Sequence, residues 1–131
     1  MNKTLKDLFD YDFIEKPKTS LTKSFNKILN KEPDELSIED ICILIRQEMF
    51  LDISIPKAIE MIKRDPSSGD NYEYCLLYNL AHMKSPLEKY KVQLKELIKV
   101  LEKYLANAKF ELESDKKDFI DSLNLLKEKA C

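Results

Sequence analysis

Two short stretches hold most of the side chains that could do chemistry. DPSSGDNYEYC, residues 65–75, carries Asp65, Asp70 and Glu73 beside Tyr72 and Tyr74, together with Gly69, the one glycine of the chain. EPDELSIED, residues 32–40, carries Glu32, Asp34, Glu35, Glu39 and Asp40. Carboxylates at this density steer a basic partner, and tyrosines supply rigid contact area with a polar tip. Helix capping and solvation account for part of both stretches. The residue types of catalysis are sparse. His82, the one histidine, sits in YNLAHMKS near a predicted helix end, where an imidazolium interacts well with the helix dipole. Neither HExxH, CxxC nor an EF-hand loop is present, and one glycine cannot build a phosphate loop. Cys42, Cys75 and Cys131 are odd in number and lack paired spacing, so they predict neither a disulfide framework nor a zinc site. Cys42, inside ICILI, reads as a small buried hydrophobe. No catalytic residue, metal ligand or cofactor is expected, and the sequence reads as that of a non-enzyme.

The rest of the chain must position those stretches. With 131 residues, 44% hydrophobic and 35% charged, it is long enough for one core and predicts a single domain over 1–131. One glycine in 131 is far below the usual level of about 7%. Hairpins and βα turns consume glycine, so the scarcity favours helices. Net charge is −2, and Lys alternates with Asp and Glu almost everywhere, which argues against direct nucleic-acid binding. The N-terminal residues mix acids with apolar side chains, unlike a signal peptide. No stretch approaches the roughly 18 apolar residues of a membrane span. A reducing cytosol is the expected compartment.

Periodicity and capping signals give an all-α order. Residues 1–18 are expected to form a docked arm with one helical turn, closed by Pro17. Ser20 caps a helix with Leu21, Phe25, Ile28 and Leu29 on one face. Ser37 caps the best-marked helix, 38–50, with Glu39 and Asp40 in its first turn and Ile41, Cys42, Leu44 and Ile45 in its stripe. A helix over 56–63 starts with Pro56 at its first position and ends before Pro66. Gly69 supplies a permissive backbone, and Asp70 caps a helix over 71–83. Ser85, Pro86 and Glu88 mark the start of a long helix whose Leu94, Ile98, Leu101, Leu105, Ala108 and Leu112 form a seam at heptad spacing. That seam reads as intramolecular, with a dimerising coiled coil as the alternative. Ser114 opens a final helix bearing Phe119, Ile120, Leu123 and Leu126. The expected fold is a compact bundle of about six helices, ending in a long helix and a C-terminal helix packed as a hairpin.

The ordered signals from Leu21 to Leu80 resemble the immunity proteins of bacterial contact-dependent growth inhibition systems. The segments that carry the resemblance are LTKSFNKILNKEPDELSIEDICILIRQ, IPKAIEMIKRDP and GDNYEYCLLYNL. The matching positions include Pro33, Leu36, Ser37, Glu39, Asp40, Ile45, Gln47, Ile55, Pro56, Ala58, Pro66, Gly69, Asp70, Tyr72, Leu76 and Leu77. Two places depart from the pattern. Arg46 stands where glycine is commoner, and Glu73-Tyr74-Cys75 replaces Pro-Gly-Asp.

The resemblance implies a non-catalytic cytoplasmic protein that binds and neutralises one cognate toxin domain, such toxins commonly being nucleases. Asp34, Glu35, Glu39, Asp70, Tyr72, Glu73 and Tyr74 are the candidate partner-binding residues. Of the tyrosines, Tyr72 is expected to face inward, because it shares four-residue spacing with Leu76 and Leu80. The free protein is expected to be a monomer that contacts neither membrane nor nucleic acid. A helical adaptor or regulatory subunit for another host partner is the alternative, and a small carboxylate enzyme a third reading.

Overall fold

A computed structural model of the chain describes residues 3–9 and 18–131. Among them are seven α-helices, two short 3-10 turns and no strand. The helices are α1 (Leu5–Leu8), α2 (Ser20–Leu29), α3 (Ile38–Gln47), α4 (Leu51–Arg64), α5 (Cys75–Ala81), α6 (Lys91–Asn107) and α7 (Glu113–Ala130). The 3-10 turns are Pro33–Glu35 and Glu88–Tyr90. The all-α bundle is as expected, and α1 is a single helical turn within the expected arm. Tyr11, Phe13, Ile14 and Pro17 of the expected arm lie outside the described residues. Its Leu5 is fully buried, and the Leu5 N–H donates to the Lys31 carbonyl at 2.9 Å.

α3 is central because its stripe is broad. Ile41, Cys42, Leu44 and Ile45 are all buried, and the helix packs against both α4 and α5. Its start follows the sequence signal. Ser37 Oγ accepts from the Asp40 N–H at 3.1 Å, and the Asp40 carboxylate accepts from the Ser37 N–H at 3.0 Å. Lys31 Nζ, 2.6 Å from the same carboxylate, neutralises it where it is buried. α4 packs on α6, and α5 and α6 both pack on α7. Glu102 pairs with Lys127, and Tyr104 meets Phe119, so α6 and α7 run antiparallel as the expected hairpin.

Several boundaries differ from the sequence expectation, each for a local reason. Thr19, not Ser20, caps α2, its hydroxyl accepting from the Thr22 N–H at 3.1 Å. α3 stops at Gln47 because Glu48 adopts the left-handed conformation (φ 51°). Phe50 does the same (φ 51°), and α4 starts at Leu51. Pro56 therefore lies inside a helix rather than at its first position. Its ring removes the donor for the Asp52 carbonyl, and both residues are exposed, which leaves that carbonyl to water. Ser85 caps nothing: its N–H and hydroxyl both donate to Glu48 Oε1, at 2.8 and 2.6 Å. The long helix consequently begins at Lys91, after a 3-10 turn. The predicted seam is shorter than six positions. Leu94, Ile98 and Leu101 are buried, but Ala108 follows the end of α6 and Leu112 is 59% exposed. Its buried part faces the protein's own helices.

The core gathers residues from every helix. Burying a Leu or Ile side chain contributes about 1.5–3 kcal/mol. Ile45 is 1% exposed at the centre of this cluster. Ile45→Asp places an unpaired charge there and is expected to cost about 4 kcal/mol or more. A urea midpoint unchanged from the parent would show that Ile45 does not support the core.

Candidate functional site

The 65–75 stretch is a turn stitched to itself. As α4 ends, the Asp65 carboxylate accepts from the Ser67 N–H (3.0 Å) and hydroxyl (2.6 Å). The Ser68 hydroxyl donates to the Asp65 carbonyl at 2.7 Å. The chain then returns on itself, with Tyr74 N–H donating to the Ser67 carbonyl (2.8 Å) and Leu76 N–H to that of Ser68 (3.2 Å). Gly69 is required for space, since its φ is not positive. A Cβ there would lie 2.6 Å from Cys75 Sγ and closer still to the Tyr72 carbonyl. The expected backbone freedom is thus replaced by close approach as the reason for glycine.

Asp70 does not cap α5. Its carboxylate turns to Arg46 on α3, which donates through both terminal nitrogens, at 2.9 and 2.8 Å. The Asn71 N–H adds a bond at 2.8 Å, and the Cys75 thiol another at 3.1 Å. Hydrogen bonding by Arg46, opposed in part by burial, holds the Asp70 carboxyl down to about 2. The Asp70 side chain is only 10% exposed, and its bonds brace the turn. Cys42, Asp70 and Cys75 bring ligand-type atoms within 4.8 Å of one another. They make a poor metal centre. Three donors fall one short of a closed zinc site, and the guanidinium already covers the carboxylate. Burial, then the Asp70 charge, pushes the Cys42 thiol up, away from the thiolate a metal needs.

The two tyrosines exchange the places expected of them. Tyr74 is 9% exposed, and its hydroxyl shares a 2.6 Å hydrogen bond with that of Tyr104. Its ring sits 5.5 Å from Phe110 and 5.6 Å from Phe119. Burial, then the bond to Tyr104, raises its hydroxyl pKa. Tyr72 is 53% exposed. The cause is backbone: Tyr74 is left-handed (φ 69°), so the helix begins at Cys75 and the spacing of Tyr72 with Leu76 is not helical. Glu73 beside it is exposed. Further along α5, the Tyr78 ring stacks on His82 at 3.9 Å, and His82 Nδ1 lies 2.8 Å from the Tyr78 carbonyl, the helix-end position foreseen for it.

Tyr72, Glu73 and Tyr74 line a notch with Leu77 and Tyr78 of α5 and Asp115, Asp118, Phe119 and Ser122 of α7. Sequence reasoning assigned no site role to the α7 residues. Asp115, Asp118 and Ser122 are spaced by three and four, so their common helix face was readable; that it opposes the turn was not. The other acidic stretch lies elsewhere. Asp34 and Glu35 occupy the 3-10 turn and Glu39 the first turn of α3, all exposed. Asp34 is 3.5 Å from Lys57 and shares a depression with Glu60 and Arg64. Glu39 and the Arg46–Asp70 pair mark opposite ends of α3, so the exposed candidates fall on two surfaces, Asp34, Glu35 and Glu39 on one and Tyr72 and Glu73 on the other, while Asp70 and Tyr74 lie beneath the second.

Residues 7–99 match the family of CDI immunity proteins, where CDI denotes contact-dependent growth inhibition. The chain belongs to this family. The match takes in the whole 65–75 turn and reaches beyond the 21–80 segments that first suggested it, while α7 lies past its end. A search of curated proteins finds no match. Among the described residues no helix is long and apolar enough to cross a membrane.

The Arg46–Asp70 pair gives a pH signature. Because the folded Asp70 carboxyl sits at about 2, below its unfolded value of about 3.9, the pair stabilises fully above that unfolded value and is lost as pH falls through about 2. Arg46→Ala should cost about 2 kcal/mol at pH 7, typical of charge-assisted hydrogen bonds. The gap between parent and variant in urea denaturation should narrow from about pH 4 downward. A gap constant from pH 7 to 2 would refute this role.

Proposed function

We propose that this protein binds one cognate toxin domain in the cytoplasm and neutralises it by occupancy rather than turnover, the toxin being a nuclease. Membership of the CDI immunity family is the observation that carries the reading. The chain works as one helical domain over 1–131 and is a monomer until it meets its partner. A nuclease presents Lys and Arg to phosphates, so a protein inhibitor with exposed carboxylates meets complementary charge. The contact face is centred on Tyr72 and Glu73, which stand exposed on a turn held rigidly from behind by Asp70, Arg46 and Tyr74. Rigid display lowers the entropy cost of binding. Asp34, Glu35 and Glu39 form a second acidic surface that steers the approach of the toxin.

Co-expression with the cognate toxin domain should rescue growth, and calorimetry should detect a tight complex. Tyr74 is a poor probe because its removal would open the core. Tyr72→Ala combined with Glu73→Lys changes only exposed side chains. Loss of one buried anchor of about 2 kcal/mol or more should weaken binding at least about thirtyfold, since 1.4 kcal/mol is tenfold. Binding equal to the parent would move the face away from this turn. A folded parent that neither binds nor rescues would overturn the immunity reading.

A further inference from the structure

The notch between the 65–75 turn and α7 has tyrosine walls, Tyr72 and Tyr78, and an acidic rim of Glu73, Asp115 and Asp118. No Lys, Arg or His is among its lining residues. Among the described residues none of the three carboxylates forms an ion pair. Their field is felt inside the notch: Asp118 adds to the burial that raises the Tyr72 hydroxyl pKa, and Glu73 and Asp115 act likewise on Tyr74. Ser122, from α7, is 1% exposed. Its hydroxyl makes no hydrogen bond among the described residues, although every fully buried polar side-chain atom there has a partner. The little surface that Ser122 keeps is therefore at its oxygen, which opens into the notch.

The free volume is about 10 Å³, room for one water-sized group. An ammonium is of that size, carries three donors and arrives on a slender stem, whereas a guanidinium is a broad plane. We propose that this notch is a socket for the ammonium of one lysine side chain of the toxin domain, an assignment that rests on the immunity reading and supplies its recognition chemistry. Asp115, Asp118 and the Ser122 hydroxyl accept from the ammonium. The bordering Tyr72 and Tyr78 rings hold it by cation–π attraction and shield it from water. Both carboxylates come from α7, a regular helix packed on α5 and α6, so the socket is formed before the toxin arrives.

The test uses the full chain and its cognate toxin domain. Calorimetry compares the parent, Asp115→Asn/Asp118→Asn, and Asp34→Asn as a control on the other acidic surface. Lysine acetylation of the toxin, read by mass spectrometry in each complex, identifies the lysine that is covered. The double variant should bind at least tenfold more weakly, with a shallower salt dependence, and one toxin lysine protected by the parent should become reactive. Asp34→Asn should leave that lysine protected. Asp115 lies in the first turn of α7 and favours the helix dipole. If the double variant melts early, Asp118→Asn alone provides the same footprint. A parent that binds tightly while the folded variant binds within twofold, or a parent complex that protects no lysine, overturns the socket and leaves the immunity reading intact. A parent that does not bind the toxin overturns the immunity reading itself.

Discussion

Asp70 is where the two halves of this protein are tied. Its carboxylate receives Arg46 from α3, the Asn71 amide and the Cys75 thiol, so one acid joins a helix end, a turn and the first residue of the next helix. Because the guanidinium cancels the charge, the turn can lie against α3 with Cys42 and Cys75 fully buried beneath it. The chain is then obliged to enter α5 through a left-handed Tyr74, which sends the Tyr74 ring inward and leaves Tyr72 outward. Arg46 is one of the two departures noted in the family resemblance. A glycine at that position could not reach Asp70, so this chain's turn is braced in a way that belongs to its own sequence.

Scarcity of glycine shapes the corners. Three non-glycine residues, Glu48, Phe50 and Tyr74, take positive φ among the described residues. Each such placement costs roughly 1–2 kcal/mol, and each side chain is anchored in a way that offsets it. Glu48 accepts from the Lys84 and Ser85 amides and the Ser85 hydroxyl, which also lowers its carboxyl pKa. Phe50 stacks on Phe25 and meets Phe9. Tyr74 bonds to Tyr104. The first two set the α3–α4 corner and the third sets the start of α5. Strain in the backbone is thus coupled to contacts made by residues distant in sequence, which stabilise each corner.

What was legible in the sequence follows from this division. Helical periodicity and the Ser37 cap depend on neighbours within a few residues and could be read; the central place of α3 and the α6–α7 hairpin followed from the breadth of an apolar stripe and from two long amphipathic helices in succession. Ser85 was misread because a Ser-Pro-x-Glu start signal is indifferent to whether its hydroxyl is already taken by Glu48, 37 residues away. Pro56 was misread because helix starts favour proline, and nothing local reveals that an exposed carbonyl makes it tolerable within α4. Tyr72 and Tyr74 were exchanged because four-residue spacing presumes a helix that Tyr74 itself delays. The acidic stretches were found by composition alone. Their separation to opposite ends of α3, and the arrival of Asp115, Asp118 and Ser122 opposite the turn, are properties of tertiary packing.

That packing bears on specificity. On the proposed reading the contact face is composite: its turn lies within the matched region 7–99, whereas its acidic rim is partly supplied by α7 outside it. The two parts are held differently. The turn depends on the Arg46–Asp70 pair and on an aromatic group of Tyr74, Tyr104, Phe110 and Phe119, so changes there move the backbone as well as the surface. Asp115 and Asp118 bear no such duty, since their helix is anchored by Phe119, Leu123 and Leu126 on its buried face. Charge on α7 can therefore vary at little cost to the fold while the turn keeps its geometry. On the proposed reading this separation favours specificity, because discrimination among toxins can be adjusted by repulsion or attraction on α7 without rebuilding the turn beside it.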